Sequence, residues 1–321
     1  MNHRCLGLLP AVGGTRIWQM CDNRSTQFDT TSSFTAFALD STGRLLYSES
    51  TTPSNDNLIP LSHVTLWLAD TTHPFTRTPI LRLPTTVGST SITWLSDLVW
   101  TGPGSFIGLG QLFGTVPHCG QCLTRDTLFV DTMGVVFRGT ISGGQATLTE
   151  IAGTEGAIAY SLAEQGATVV FARKNRRALF RVPVSGGSPV PPVPTGPEDS
   201  VQIAGVSCKG LICIAAEDSV ELTGRAINTT GFICCQAFAH LLADTMTLHR
   251  VDLGTGDDEV ITLNGSRIIY ATPVISPANG DVVVQVGGTW GHLQTFATAV
   301  TGNLFAMGPR SDLYLLPNIV R

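Results

Sequence analysis

Five tight turns, each set between two apolar runs, recur along this chain and restrict it to repeated antiparallel hairpins. They are Leu39-Asp40-Ser41-Thr42-Gly43, Trp100-Thr101-Gly102-Pro103-Gly104, Leu162-Ala163-Glu164-Gln165-Gly166, Val206-Ser207-Cys208-Lys209-Gly210 and Ile275-Ser276-Pro277-Ala278-Asn279-Gly280. Phe34 to Leu39 leads into the first and Arg44 to Tyr47 leads out; Tyr270 to Ile275 and Asp281 to Val286 bracket the last. Glycine is required because a tight hairpin imposes a positive φ that other residues adopt only at a cost. Successive turn glycines lie 61, 62, 44 and 70 residues apart. Self-similarity at that spacing predicts a propeller or another array of repeated sheets.

A second recurring element defines the rest of the unit. Six segments carry Leu or Ile followed by an aromatic residue or His: Arg16 to Asp22, Thr65 to Asp70, Thr127 to Asp131, Ala178 to Pro183, Thr247 to Asp252 and Asp312 to Pro317. Five of them follow a glycine turn, and the sixth lies near the amino terminus. Each repeat therefore reads as two strands around a Gly turn, a variable connection, a third strand and usually a hairpin partner. That is a four-stranded blade.

The pattern resembles the TolB-like (PD40 or WD40-like) family of propellers, whose blades read as an apolar strand, Ser-Pro-Asp-Gly or similar, a second strand and then a Leu-Tyr-x-x-Asp strand. Ile275 to Gly280 with Asp312-Leu313-Tyr314 is the nearest copy, followed by Ala38 to Gly43 with Leu66 to Asp70. The other turns depart from it, with Cys-Lys-Gly and Glu-Gln-Gly. The resemblance implies an all-β fold, a closed β-propeller of four-stranded antiparallel blades. Six blades are expected, with five and seven left open, in a single domain over residues 1–321. The amino-terminal strands would close the ring with the carboxy-terminal blade and so remove exposed edges. Such propellers host receptors, scaffolds and enzymes alike, so the resemblance does not assign a function.

Composition excludes several classes. Only 13% of residues are charged, glycine is plentiful at 34, and the net charge of −5 disfavours a general attraction to nucleic acid. No run reaches the roughly 18 apolar residues of a spanning helix; Gly231 to Leu242 is interrupted by Gln236 and His240. The stretch from Cys5 to Val12 is read as the first strand of the fold, any export signal lying upstream of or missing from this numbering.

The eight cysteines fall into four local pairs: Cys5 with Cys21, Cys119 with Cys122, Cys208 with Cys213, and Cys234 with Cys235. This predicts disulfides and a periplasmic or extracellular location, against the alternative of ordinary buried thiols. Zinc held by His118, Cys119, Cys122 and Cys234 or Cys235 is a competing use of the same residues. No metal or cofactor is expected.

The connections between second and third strands are long in four repeats, roughly 50–62, 114–125, 216–245 and 287–310. In a propeller they would emerge on one face, which predicts a protein-binding surface. Phe232 and Phe238 in one, with Ala237 to Asp244 as a candidate short helix, and Trp290, Phe296, Phe305 and Met307 in another, are the candidate apolar anchors. The corresponding short connection is basic: Arg173, Lys174, Arg176 and Arg177, with Arg181 beyond, place five of the 19 basic residues in nine positions. A solvated hairpin is the plain account; an acidic partner or anionic headgroups at a membrane surface is the sharper one.

Catalytic motifs are scarce. There is no Gly-x-Ser-x-Gly elbow and no His-Glu-x-x-His; Leu123 stands where a c-type haem site needs His, and Gly108 to Gly114 lacks dinucleotide spacing. The enzyme alternative is a calcium-dependent hydrolase or lactonase with its site at the central channel, using Glu155, Glu198, Asp199 and Asn264 at the beginnings of the innermost strands. Asn55-Asp56-Asn57 and Asp257-Asp258-Glu259 read as solvated turns. The expected function is a non-catalytic protein-interaction module, an exported accessory or scaffold subunit of a larger, membrane-associated complex.

Overall fold

All five turn glycines have the backbone their hairpins demand: φ is 90° at Gly43, 83° at Gly104, 91° at Gly166, 61° at Gly210 and 76° at Gly280. The computed structural model describes residues 6–11, 14–21, 24–31, 33–40, 42–50, 64–70, 76–111, 134–173, 176–195, 203–217, 243–268, 270–275, 280, 282–287, 297–298, 304–305 and 311–316. Among them the structure is almost entirely antiparallel strand.

Sheet 1 is a meander of β1 (Leu6–Ala11), β2 (Gly14–Cys21) and β3 (Arg24–Thr31), and sheet 2 comprises β4 (Ser33–Leu39), β5 (Arg44–Ser50), β6 (Val64–Asp70) and β7 (Thr76–Arg82). A small ribbon, β8 (Thr85–Val87) with β9 (Thr90–Ile92), leads to sheet 3: β10 (Trp94–Gly102), β11 (Ser105–Gln111), β12 (Val135–Ser142) and β13 (Gln145–Glu150). Sheet 4 contains β14 (Ala157–Ala163), β15 (Thr168–Arg173), β16 (Ala178–Pro183) and β17 (Val190–Pro194). Sheet 5 contains β18 (Ile203–Lys209), β19 (Ile212–Glu217), β20 (Ala243–Asp252) and β21 (Asp258–Ile268). Sheet 6 pairs β22 (Tyr270–Ile275), β23 (Val282–Gly287) and β26 (Ser311–Leu316), with a separate ribbon of β24 (Ala297–Thr298) and β25 (Leu304–Phe305) between the last two.

Strand order follows chain order in every sheet, as the glycine hairpins require. The Leu-aromatic segments supply the third strands β6, β16, β20 and β26, while Ile17-Trp18 lies on the central strand β2. The segment Thr127 to Asp131 is a correction: the third strand of sheet 3 is Val135–Ser142, and residues 127–131 lie outside the described residues. Val135, Val136 and Phe137 are all fully buried, and these large apolar residues suit the strand. Ala243 and Asp244, expected at the end of a short helix, begin strand β20 instead.

The chain divides into two compact units: Met1–Leu112 with Phe137–Glu150 and His292–Pro309, and Phe113–Val136 with Ile151–Gly291 and Arg310–Arg321. In the first, β4 and β10 pack side by side, and the Trp100 indole N–H donates to the Ala38 carbonyl at 3.0 Å. Buried Tyr47, Leu45, Leu46, Leu66, Phe106 and Phe137 form its core. In the second unit the first strands β14, β18 and β22 adjoin one another. Two serines stitch them: Ser161 accepts from the Cys208 N–H at 2.9 Å and Ser207 accepts from the Ile275 N–H at 3.1 Å. The second strands β11, β15 and β19 are buried at every internal position, because apolar side chains on both of their faces meet neighbouring structure.

The first glycine turn is held by Asp40. Its carboxylate accepts from the backbone N–H of Thr42 and of Arg44, both at 2.9 Å, and from the Arg44 Nε at 2.7 Å. Burial pushes the Asp40 carboxyl up, but the hydrogen bonds from Arg44 and Thr42 outweigh it and hold the group below its ordinary value of 3.8. A lowered carboxyl stabilises the fold above its unfolded value, and that contribution disappears as pH falls through the folded value. Asp40→Ala is expected to lower stability by about 1–2 kcal/mol at neutral pH. The difference from wild type should shrink in acid, below the ordinary value of 3.8, as measured by urea unfolding across pH.

Candidate functional site

Antiparallel order fixes what each end of a sheet carries. In sheets 2 to 6 the glycine turn joins first and second strands at one end, and the connection from second to third strand leaves at the other. Those connections are 51–63, 112–134, 218–242 and 288–310, against only 174–177 in sheet 4. The third-to-fourth links return to the glycine end and are short, as at Ser142 to Gln145 and Pro183 to Val190.

Most predicted anchors lie in the long connections. Phe232, Phe238, Trp290, Phe296 and Met307 are outside the described residues; Phe305 pairs with Ala297 in the β24–β25 ribbon. Lys174 is likewise outside them. Arg176 is exposed. Arg173, Arg181 and Arg177 have internal partners. Arg173 donates to the Gly153 carbonyl at 3.0 Å and lies over the rings of Phe180 and Phe171 at 4.7 and 5.3 Å. Arg181 donates to the Leu253 carbonyl at 2.8 Å, and Arg177 forms an ion pair with Glu217.

Arg177 belongs to a charged cluster that no sequence motif announced. The register Ala215↔His249↔Val260 puts these residues side by side across β19, β20 and β21. Glu217 and Asp258, each two positions along its strand, share their face. His249 is 1% exposed. Its Nδ1 lies 2.9 Å from an Asp258 oxygen, and its Nε2 lies 3.9 Å from Glu217. Burial pushes the imidazole down, but the hydrogen bond to Asp258 and the charges of the Asp258 and Glu217 carboxylates outweigh it, leaving His249 above its ordinary 6.5. Asp258, read as part of a solvated turn, instead opens strand β21 and partners His249. The only available signal was that His249 stands where other repeats carry Trp, Phe or Tyr.

One predicted cysteine pair is present: Cys208 and Cys213 face each other across β18 and β19 and form a disulfide, with Cα atoms 4.0 Å apart. Cys21 ends β2 opposite Arg24, whereas Cys5, Cys119, Cys122, Cys234, Cys235 and His118 are outside the described residues. Of the set proposed for calcium, Asn264 is not at the beginning of an innermost strand as expected. Asn264 lies on β21, the fourth strand of its sheet, opposite Thr245, and Glu155 accepts from the Gly153 N–H at 3.1 Å. Glu198 and Asp199 are outside the described residues. Among the described residues no group of three His, Cys, Asp or Glu side chains is arranged to hold a metal, and no helix is long and apolar enough to cross a membrane.

No protein-family profile matches the chain, and no curated protein sequence matches it. Solved structures do. The WD40 repeats of RRP9 superpose with a TM-score of 0.50 at 11% identity, covering 98% of this chain and 76% of that one. The WD40 β-propeller domain of Doa1 gives 0.48 at 12% identity, covering 97% and 81%. The low identities speak to fold alone, and the fold is of the all-β propeller class.

Proposed function

We propose that this chain is a non-catalytic protein-interaction module that holds its partner through the ends of the sheets carrying the long connections. The observation behind this is the asymmetry of the sheets: one end of each of sheets 2 to 6 is closed by a tight glycine hairpin, and in four of them chain length is concentrated at the other. Uneven loop length of this kind marks binding surfaces on rigid scaffolds. The fold class agrees, because propellers present their connections on a packed frame and need no cofactor to do so. In this proposal the sheets form one six-bladed domain, with the amino-terminal strands beside the carboxy-terminal sheet. The protein is an exported accessory subunit, and the Cys208–Cys213 disulfide supports an oxidising location. A peripheral place on a membrane complex would use the exposed Arg176 with Lys174.

Co-purification from native material identifies the partner, and substitution tests the face. Trp290→Ala and Phe305→Ala are each expected to weaken partner binding by about 30-fold, the effect of losing an interface hot spot. The melting temperature should stay unchanged. Loss of stability with binding retained would assign these side chains to the protein's own core and overturn the proposal.

A further inference from the structure

We propose that Glu217, His249 and Asp258, with Arg177 set against Glu217, form a pH-sensitive latch across β19, β20 and β21 of sheet 5, fastened when both ring nitrogens of His249 carry protons and loosened when one is lost. The proposal rests on these described residues and not on the identity of any partner.

The four groups border an apolar interface. Sheet 4 contributes Val170, Ala172, Leu179 and Val193 to a buried cluster, and sheet 5 contributes Cys213, Ala215, Val251 and Leu253. Glu217 lies two residues beyond Ala215, and Arg177 two residues before Leu179, so alternation puts both on the faces that meet. Water reaches the cluster poorly: side-chain exposure is 2% for His249, 12% for Glu217, 15% for Arg177 and 21% for Asp258. Charges in such a setting interact more strongly than at the surface.

The charge count favours protonation. With a neutral imidazole the cluster holds two carboxylates against one guanidinium, and one added proton balances it. Geometry points the same way. The Asp258 carboxylate accepts only, so the Nδ1 facing it at 2.9 Å must be the donor. In neutral His249 the Nε2 would then present a lone pair towards the Glu217 carboxylate, 3.9 Å away, and the two would repel. Protonation turns that contact into a charge-assisted attraction. Arg177 opposes the proton by its own charge while fixing Glu217 in place. The Arg250–Glu259 pair, 3.9 Å apart, is on the opposite face of sheet 5, and Arg181 is occupied by the Leu253 carbonyl.

The sign follows from linkage. A histidine raised above its unfolded value stabilises fully below that value, and the contribution is lost as pH rises through the folded value. The latch therefore weakens on the alkaline side of 6.5. Its backbone reporter is the Asp252 N–H, which donates to the Asp257 carbonyl at 2.9 Å, next to Asp258.

The test uses the full chain. The His249 ring signals, assigned by their absence in His249→Gln, are followed by NMR from about pH 5 to about pH 8.5. His249 is expected to titrate above 6.5, Glu217→Gln to lower that midpoint and Arg177→Met to raise it. Over the same range the wild type should lose stability to urea that His249→Gln does not lose. Exchange at the Asp252 amide should accelerate beyond its intrinsic pH dependence in wild type alone. A midpoint at or below 6.5, or identical pH dependence in wild type and His249→Gln, would overturn the latch. Should His249→Gln not fold, the wild-type signal assigned through its shift in Glu217→Gln decides the matter by the same midpoint.

Discussion

Phe106→Ala is expected to remove about 3–5 kcal/mol of folding stability, the cost of emptying a large buried aromatic site. Phe106 is fully buried on β11, the second strand of sheet 3. Its ring stands edge-to-face with Phe137 at a centroid distance of 6.1 Å and with Trp100 at 6.3 Å, each contact worth about 0.5–1.5 kcal/mol beyond area burial. Trp100 in turn binds the Ala38 carbonyl through its indole N–H and carries the Arg44 guanidinium 5.0 Å above its ring. Removing Phe106 thus leaves a cavity and also withdraws the support of the residue that links β10 to β4. The site cannot collapse cheaply, because Ile107 and Leu109 on the same strand are themselves buried. Urea unfolding measures the loss, with Val99→Ala as the control: Val99 is 41% exposed and should change stability by no more than about 0.5 kcal/mol. A Phe106→Ala variant as stable as that control would refute the packing described here.

The same residues show how far the sequence could be read. The glycine hairpins were legible because a positive φ leaves glycine almost alone as a candidate, and each turn glycine has one. The Leu-aromatic strands were legible because the partner across the sheet is also large and apolar: Tyr47 faces Trp67, and Phe171 faces Phe180. Sheet 3 broke the rule. Val136-Phe137 lies on its third strand, with Phe137 packed against Phe106, a contact that no local pattern contains. The Arg177–Glu217–His249–Asp258 cluster was illegible for a related reason. Its members come from the connection before β16, the end of β19, the interior of β20 and the start of β21, and only the register of sheet 5 beside sheet 4 brings them together. Basic residues that looked like a solvated run became partners of carbonyls, rings and a carboxylate once a second sheet lay alongside. Short-range pattern carried the repeat; contacts between repeats carried the charge pairing.

Gly139→Ala is expected to destabilise the wild-type protein by about 1–3 kcal/mol and to be nearly harmless in a Phe106→Ala background. Gly139 is on β12 opposite Leu148, and its φ is not among the positive values, so the backbone alone does not require glycine there. The requirement is the neighbouring ring. A β-carbon at position 139 would lie 2.1 Å from the Phe106 Cζ and 2.4 Å from both Cε atoms, inside the volume the ring occupies. Phe106 has nowhere to turn, being fully buried with Phe137 and Trp100 along its edges. With the ring removed, the added methyl falls into the space it vacated, and Ala regains the strand stability that Gly forfeits through its greater freedom in the unfolded chain. The double-mutant cycle should therefore give a coupling energy of about 1–3 kcal/mol. An equal cost of Gly139→Ala in both backgrounds would mean that the glycine serves the backbone of β12, and that the Phe106 ring is not what excludes a side chain from that strand.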